Sequence, residues 1–275
     1  MLAPIINRII YQPGMTAATP GFTPAALSID FEDVQLVAAD GVAITGWYMK
    51  APAPRGSLLY LHGNAGNRRD WAQVAPDFIN QGYNLLLLDY RGYGDSQGKP
   101  SEQGLFRDGD AAWVWLKART EREGLPAYVL GKSLGSGVAT YLAATYSPAG
   151  LILDSAFTSM SQLIAHHARW LPRFLIPSLF QSLARAESIT CPTLVLHGDR
   201  DELVPLAHGL SLYNKLQAPK ALGVIPGADH NDIDAYDSYW RWVADFLHHP
   251  QHFVAAMQDI SDESFRRRWQ EVVMA

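Results

Sequence analysis

The chain has a single cysteine among its 275 residues, and this scarcity limits its chemistry. One thiol, Cys191, cannot form an internal disulfide, so a reducing compartment is permitted. Paired cysteines and a His-Glu-x-x-His motif are both missing from the sequence, and we therefore predict no metal site and no cofactor. Gly92 and Gly94 lack the spacing of a dinucleotide-binding loop. The net charge of −5 carries no basic excess, so we expect no nucleic-acid partner.

Long apolar runs are also missing. Residues 1–15 hold several apolar side chains, but Pro4, Asn7, Arg8 and Pro13 interrupt them. That is well short of the ~20 apolar residues that a membrane-spanning helix needs. The charge, core and cleavage pattern of a signal peptide does not follow. We expect no integral membrane segment and a cytoplasmic protein.

What the chain does have is an alternation of short apolar runs and helical stripes, with 48% hydrophobic residues to fill a core. This pattern predicts one domain over residues 1–275 with a mostly parallel sheet and helices on both faces. The apolar segment at about 156–190, which prolines divide, predicts a small helical cap. We also expect a C-terminal helical extension at about 250–275. The expected strands lie near 29–37, 43–49, 57–61, 83–88, 127–130, 151–153, 192–196 and 222–225, and the expected helices near 70–81, 101–123 and 236–247.

The pentapeptide Gly131-Lys132-Ser133-Leu134-Gly135 falls between a predicted strand and a predicted helix. Two glycines leave room for a sharp turn that lifts a serine hydroxyl clear of the sheet, so we predict Ser133 as a nucleophile. Lys132 within the turn is interpreted as a solvated side chain.

A serine nucleophile needs a histidine to take its proton and a carboxylate to orient that histidine. His230 follows a predicted strand and is the expected base. The acid is expected in the loop that follows the strand end at His197-Gly198, where Asp201 is one candidate. Asp154 ends the preceding strand and Asp199 lies nearer its own strand end, so both remain alternatives.

In these motifs the chain resembles the α/β-hydrolase superfamily. The resemblance rests on His62-Gly63-Asn64-Ala65-Gly66, Asp89-Tyr90-Arg91-Gly92-Tyr93-Gly94, the serine turn, His197-Gly198-Asp199-Arg200-Asp201 and Gly227-Ala228-Asp229-His230-Asn231-Asp232, in the expected order. It implies an α/β-hydrolase fold and a serine hydrolase with the triad Ser133, Asp201 and His230. It also implies an oxyanion hole from the backbone N–H groups of Asn64 and Leu134. The motifs look like those of a branch that holds membrane-anchored hydrolases and protein depalmitoylases.

The resemblance further implies a small ester or acyl substrate, held beneath the predicted cap. We expect Trp170, Phe174 and Phe157 to line an apolar acyl pocket, with Leu171, Leu175, Ile176 and Phe180 near them. The favoured reaction is hydrolysis of carboxylic esters or thioesters through an acyl-enzyme. A peptidase or amidase with the same triad is one alternative, and a non-catalytic binding protein that kept the fold is the other.

Overall fold

One mixed sheet runs through the centre of the molecule. The computed structural model describes residues 3–168, 170 and 172–257, and for residues 3–6 and 173 it describes the backbone alone. Eight strands of this described part belong to the sheet. They are β1 (Asp30–Val37), β2 (Ala43–Lys50), β3 (Gly56–Leu61), β4 (Tyr83–Asp89), β5 (Ala127–Lys132), β6 (Leu151–Asp154), β7 (Thr193–Gly198) and β8 (Lys220–Ile225).

The strand order β1-β2-β4-β3-β5-β6-β7-β8 determines where a ligand can bind. β2 pairs antiparallel with both β1 and β4, and every other pairing is parallel. The mostly parallel sheet predicted from the sequence is confirmed. After β3 the chain goes first to one side, to β4, and then to the other, to β5. Such a reversal opens a crevice at the carboxyl ends of β3 and β5.

Helices cover both faces of this sheet, as the sequence predicted, and each face has its own apolar core. One core packs α4 and α5 against the sheet, and the other packs α3 and α9. The helices are α1 (Ala3–Ile10), α2 (Arg68–Trp71), α3 (Ala75–Asn80), α4 (Glu102–Glu123), α5 (Leu134–Tyr146), α6 (Met160–His167), α7 (Ser182–Arg185), α8 (Leu206–Lys215) and α9 (Asp237–His248).

Local sequence signals explain where some of these helices begin and end, but they do not predict every helix boundary. The Ser101 hydroxyl accepts a hydrogen bond from the Gly104 N–H, and Gly124 ends α4 in the left-handed region at φ 69°. The continuous helix predicted at 70–81 is wrong, because a 3₁₀ turn at 72–74 separates α2 from α3. Pro76 lacks an N–H and sits in the first turn of α3, where that group needs no partner. α1 and α8 were not predicted.

The connection between β6 and β7 contains α6, α7 and two short 3₁₀ turns, within the range of the predicted cap. Cys191 precedes β7 as a buried free thiol. Residues 250–257 are helical and bury Phe253 and Val254, while 258–275 of the predicted extension lie outside the described residues. Among the described residues, no helix combines the length and apolar character needed to cross a bilayer.

Candidate active site

Ser133 occupies a strained turn at the carboxyl end of β5. Its backbone lies at φ 51° and ψ −116°, a conformation that a residue with a side chain seldom adopts. The flanking glycines are required by crowding. A Cβ atom at Gly135 would lie 1.9 Å from the Leu61 carbonyl oxygen, and one at Gly131 would lie 2.5 Å from the Ala139 Cβ. The sharp turn therefore projects the Ser133 side chain from the sheet edge into the crevice beside β3.

The structure brings Ser133, His230 and Asp201 together. His230 Nε2 lies 3.0 Å from Ser133 Oγ, and His230 Nδ1 lies 2.8 Å from Asp201 Oδ2. An ionised carboxylate can only accept a hydrogen bond, so Nδ1 carries the proton and Nε2 is free to accept the serine hydroxyl. The loop after β8 supplies the histidine and the loop after β7 supplies the aspartate. The arrangement can therefore move a proton from Ser133 to His230.

Hydrogen bonds keep the Asp201 carboxyl ionised. Burial alone would raise its pKa, but hydrogen bonds from His197 and His230 outweigh burial and hold the pKa well below its usual range. Asp201 Oδ1 also accepts the Val204 N–H at 2.7 Å. His197 Nε2 lies 2.7 Å from the Val204 carbonyl oxygen and 3.4 Å from Asp201 Oδ2, so its N–H is shared between them.

The two alternative acids make other contacts. Asp199 Oδ1 accepts the Gly227 N–H at 2.7 Å and so ties the loop after β7 to the loop after β8. Asp154 ends β6 and accepts hydrogen bonds from Lys132 and Tyr239. Of the three aspartates considered, Asp201 is therefore the one in contact with His230.

The interpretation of Lys132 as a solvated side chain is wrong. Its side chain is buried, and Nζ lies 3.2 Å and 3.1 Å from the two carboxylate oxygens of Asp154. Tyr239 donates its hydroxyl to the same carboxylate at 3.0 Å. The parallel pairing of β5 with β6 places Lys132 opposite Asp154, and that shared strand-end position is the sequence signal that could have found the pair. Lys132 also lines the cavity above Ser133.

The two residues predicted to supply the oxyanion hole belong to the loop after β3 and to the start of α5. Leu134 is the first residue of α5, where a backbone N–H has no acceptor within its own helix. Asn64 follows β3, and its carbonyl accepts hydrogen bonds from the Gln12 N–H at 3.0 Å and the Tyr93 hydroxyl at 2.9 Å. Both Asn64 and Leu134 line the cavity. The loop after β3 is thus fixed in position by contacts from distant parts of the chain.

A cavity of about 510 Å³ opens above Ser133. Phe157 lines it as expected. The prediction that Trp170 and Phe174 line it is wrong: they are 82% and 86% exposed and do not lie among the lining residues. Both residues follow the end of α6 and their side chains face solvent, so their hydrophobic character did not indicate burial. Phe180 is buried against Phe157 instead, and Leu171 lies outside the described residues.

Side chains that sequence reasoning did not assign to the cavity form one of its walls. Ile9, Ile10, Gln12 and Met15 come from α1 and the turn after it. They are held there because Gln12 pairs with Ala65 in an isolated parallel bridge. No local pattern in residues 9–15 indicates a pairing with a partner about fifty positions away, so this wall could not be predicted from the sequence.

Comparison with known proteins agrees with the geometry. The family model described as serine aminopeptidase, S33 matches residues 52–183. The alpha/beta hydrolase domain-containing protein 17B of Xenopus laevis is 34% identical over 71% of this chain and 67% of its own length. The alpha/beta hydrolase domain-containing protein WAV2 of Arabidopsis thaliana is 31% identical over 90% of this chain and 89% of its own.

Among solved structures, an esterase from Pyrococcus furiosus superposes with a TM-score of 0.73 at 24% identity, covering 88% of this chain and all of that one. That likeness supports the fold, and the relatives above support the family. The chain therefore belongs to the α/β-hydrolase superfamily and is a serine hydrolase of that type.

Proposed function

We propose that this enzyme hydrolyses carboxylic esters or thioesters with an apolar acyl group, through an acyl-enzyme on Ser133. The observation that carries the proposal is the chain of contacts from Ser133 Oγ to His230 and on to Asp201, at 3.0 Å and 2.8 Å. An oriented and ionised aspartate stabilises the imidazolium that forms when His230 takes the serine proton.

The reaction follows from these positions in two halves. Ser133 Oγ bonds to the acyl carbon while its proton passes to His230 Nε2, and His230 then gives that proton to the departing alcohol or thiol. A water molecule next attacks the acyl carbon and loses its proton to His230. The bond to Ser133 Oγ breaks, the proton returns to the serine, and the carboxylic acid leaves.

The oxyanion formed in each half would be held by the backbone N–H groups of Leu134 and Asn64. Removing one such donor typically costs roughly 3–4 kcal/mol of transition-state stabilisation. The fixed carbonyl of Asn64 supports this assignment, because a donor must be aimed before the charge develops.

An apolar acyl group fits the cavity wall. Phe157, Met160, Leu163 and Ile164 line it next to the nucleophile, and we assign Phe157 to the acyl-binding surface. The segment from α6 to α7 would act as the cap predicted from the sequence.

An aminopeptidase on the same triad is the second candidate, because the matching family model carries that description. A free amino terminus calls for a nearby carboxylate. The cavity-lining residues of the described chain include no Asp or Glu, and they do include Lys132. This lining favours esters over aminoacyl substrates.

The decisive experiment is labelling with a fluorophosphonate probe, which reacts with an activated serine. Wild-type protein should label to one equivalent, and Ser133→Ala should not label. Ser155→Ala is a matched control, because Ser155 also has a positive φ, 49°, but its hydroxyl is buried at the end of β6. It should label like wild type.

A substrate panel then separates the two reactions. Acyl p-nitrophenyl esters and acyl thioesters of increasing chain length should be cleaved faster than aminoacyl anilides. Faster cleavage of the anilides would replace the esterase proposal with the aminopeptidase, and labelling that persists in Ser133→Ala would overturn the assignment of the nucleophile.

Two further assignments depend on this family placement. The likeness to protein 17B supports membership of the branch that the motifs indicate, in which acyl-protein thioesters are the substrates to test first. A cytoplasmic location is compatible with Cys191, because this thiol is buried and forms no disulfide. Fractionation of cells that express the protein would test that location.

A further inference from the structure

Several exposed apolar side chains lie in segments of the chain that border the cavity. The described chain has nine large hydrophobic residues with exposed side chains, and six of them belong to the rim patch defined here. Ile9, Met15 and Leu203 line the mouth itself. Exposed apolar residues scattered singly are normal, whereas a cluster marks an interaction surface. The rim patch consists of Ile9, Met15 and Leu203, which line the cavity, and of Trp170, Phe174 and Leu175, which follow the lining residue Ala168 in the chain.

The backbone on both sides of the mouth is hydrogen-bonded into place. His167 at the end of α6 lies 2.7 Å from the Leu203 carbonyl oxygen, and the Leu179 carbonyl accepts the Met160 N–H at the start of α6. The Leu179 contact therefore ties the far end of the segment that carries Trp170 and Phe174 to α6, and the His167 contact ties α6 to the loop after β7. On the other side, Asp70 accepts the N–H groups of Ala17 and Ala18.

Charge is distributed unevenly around the rim patch. The chain contains 27 acidic residues, yet neither residues 1–29 nor residues 155–186 contain a single Asp or Glu. These two stretches carry five of the six rim side chains, and their arginines are Arg8, Arg169, Arg173 and Arg185, the last of which pairs with Glu102. Arg8 is exposed beside Ile9. The exception is Glu202, an exposed acidic neighbour of Leu203.

We propose that the rim patch docks on the surface of an anionic lipid bilayer, with the cavity mouth facing the lipid. Tryptophan and phenylalanine favour the boundary between head groups and acyl chains, and arginines beside them are attracted to anionic lipid. A second copy of the chain fits less well. A two-fold interface would bring the same patch of both copies together, and with it the exposed Arg8 of each copy.

Docking explains why the mouth is apolar on the outside as well as within. If the proposed esterase or thioesterase activity holds, an acyl chain could pass from the bilayer into the cavity without crossing water. The docking itself does not need catalysis, so it can be tested in protein that cannot turn over.

The test uses full-length Ser133→Ala and sedimentation with two kinds of vesicle. One is pure phosphatidylcholine, and the other contains 30% phosphatidylserine. The bound fraction should be at least fivefold higher on the anionic vesicles and should fall in 0.5 M NaCl. Tryptophan emission should shift to shorter wavelength on binding, because Trp170 is largely exposed in the free protein.

A pair of matched double variants locates the contact. Trp170→Glu with Phe174→Glu should lower vesicle binding at least tenfold. Val37→Glu with Val114→Glu makes the same chemical change at exposed apolar residues of β1 and α4, 69% and 57% exposed, and should leave binding within twofold. Circular dichroism establishes that each variant is folded.

Several outcomes would overturn the docking proposal. The first is equal vesicle binding by the two double variants, and the second is no vesicle binding by folded Ser133→Ala. The third is the absence of vesicle binding together with a dimer that only the Trp170→Glu, Phe174→Glu variant abolishes. Fluorophosphonate labelling of wild type without lipid reports on the proposed catalysis separately. Loss of that labelling together with intact vesicle binding would remove the catalytic proposal and leave the docking.

Discussion

The floor and the rim of the cavity are built by opposite means. On the floor, polar side chains are paired with one another, as in Ser133 with His230 and the buried Lys132 with Asp154. At the rim, apolar side chains such as Trp170 and Phe174 face solvent, and only the backbone behind them is held. A buried polar group without a partner is costly, so the floor admits one arrangement. The rim is not restricted in this way and leaves surface available for contact.

The comparison predicts that the largest effect comes from the floor. Asp201→Asn keeps the shape but presents an amide N–H to His230 Nδ1, which favours the wrong tautomer. We expect kcat on an aryl ester to fall about 10⁴-fold, as such a change does in other serine hydrolases. Asp199→Asn is the control, because Asp199 contacts Gly227 and not the histidine. A loss below tenfold in Asp201→Asn would remove Asp201 from the proposed triad.

The buried ion pair should have the next largest effect. Lys132→Met leaves the Asp154 carboxylate buried without its cation and should lower the free energy of unfolding by about 3–5 kcal/mol. Adding Asp154→Asn removes the uncompensated charge and still accepts the Tyr239 hydroxyl, so the double variant should recover most of the loss. Urea unfolding at pH 7 measures both variants. Equal losses in the single and double variants would mean that the charge is not the cause.

A smaller effect should appear with pH where the wall of the cavity meets α8. Burial, assisted by nearby histidines, lowers the pKa of His208 from 6.5 to about 4, and its Nδ1 accepts the Thr158 N–H at 3.3 Å. The unfolded chain then binds the proton more tightly than the folded one. Stability should fall as the pH drops from 6.5 to 4, by at most about 3 kcal/mol.

His208→Asn should flatten that pH dependence, while His252→Asn, at an exposed position, should not. Urea unfolding at several pH values between 4 and 7 makes the comparison. An unchanged slope in His208→Asn would show that other groups cause the acid sensitivity.

The rim itself should give the smallest effect on stability. Phe174→Ser should change the free energy of unfolding by no more than about 0.5 kcal/mol, because the side chain is already in water. Phe157→Ala, which empties a buried position on the cavity wall, should cost about 3–5 kcal/mol. Thermal unfolding of the two variants side by side measures the contrast. Similar losses would mean that Phe174 packs on the protein in solution.

Much of the sheet and the meeting of Ser133 with His230 could be predicted from the sequence, because apolar strands and the turn at Gly131–Gly135 are local patterns. Contacts between residues that are distant in the sequence could not be predicted in this way. The partner of Lys132, Asp154, lies 22 positions away, and no local pattern indicates that Gln12, just after α1, pairs with Ala65.

The prediction for the rim residues was wrong for a different reason. Trp170 and Phe174 were assigned to the inside because hydrophobic residues are usually buried. Hydrophobicity predicts only that a side chain prefers to leave water, and it does not say whether the protein or another surface provides the cover. The 3₁₀ turn between α2 and α3 was also missed, because the helix propensities of neighbouring residues do not determine the exact residue at which a helix is interrupted.

The lone buried cysteine has a practical consequence for spectroscopy. Burial raises the pKa of the Cys191 thiol to about 12, so at neutral pH it is both protonated and shielded from reagents. A cysteine introduced at position 174 would therefore be the single reactive thiol of the whole chain. A spin label or fluorophore could be attached there without altering any native residue elsewhere, and its depth in a bilayer could then be read directly.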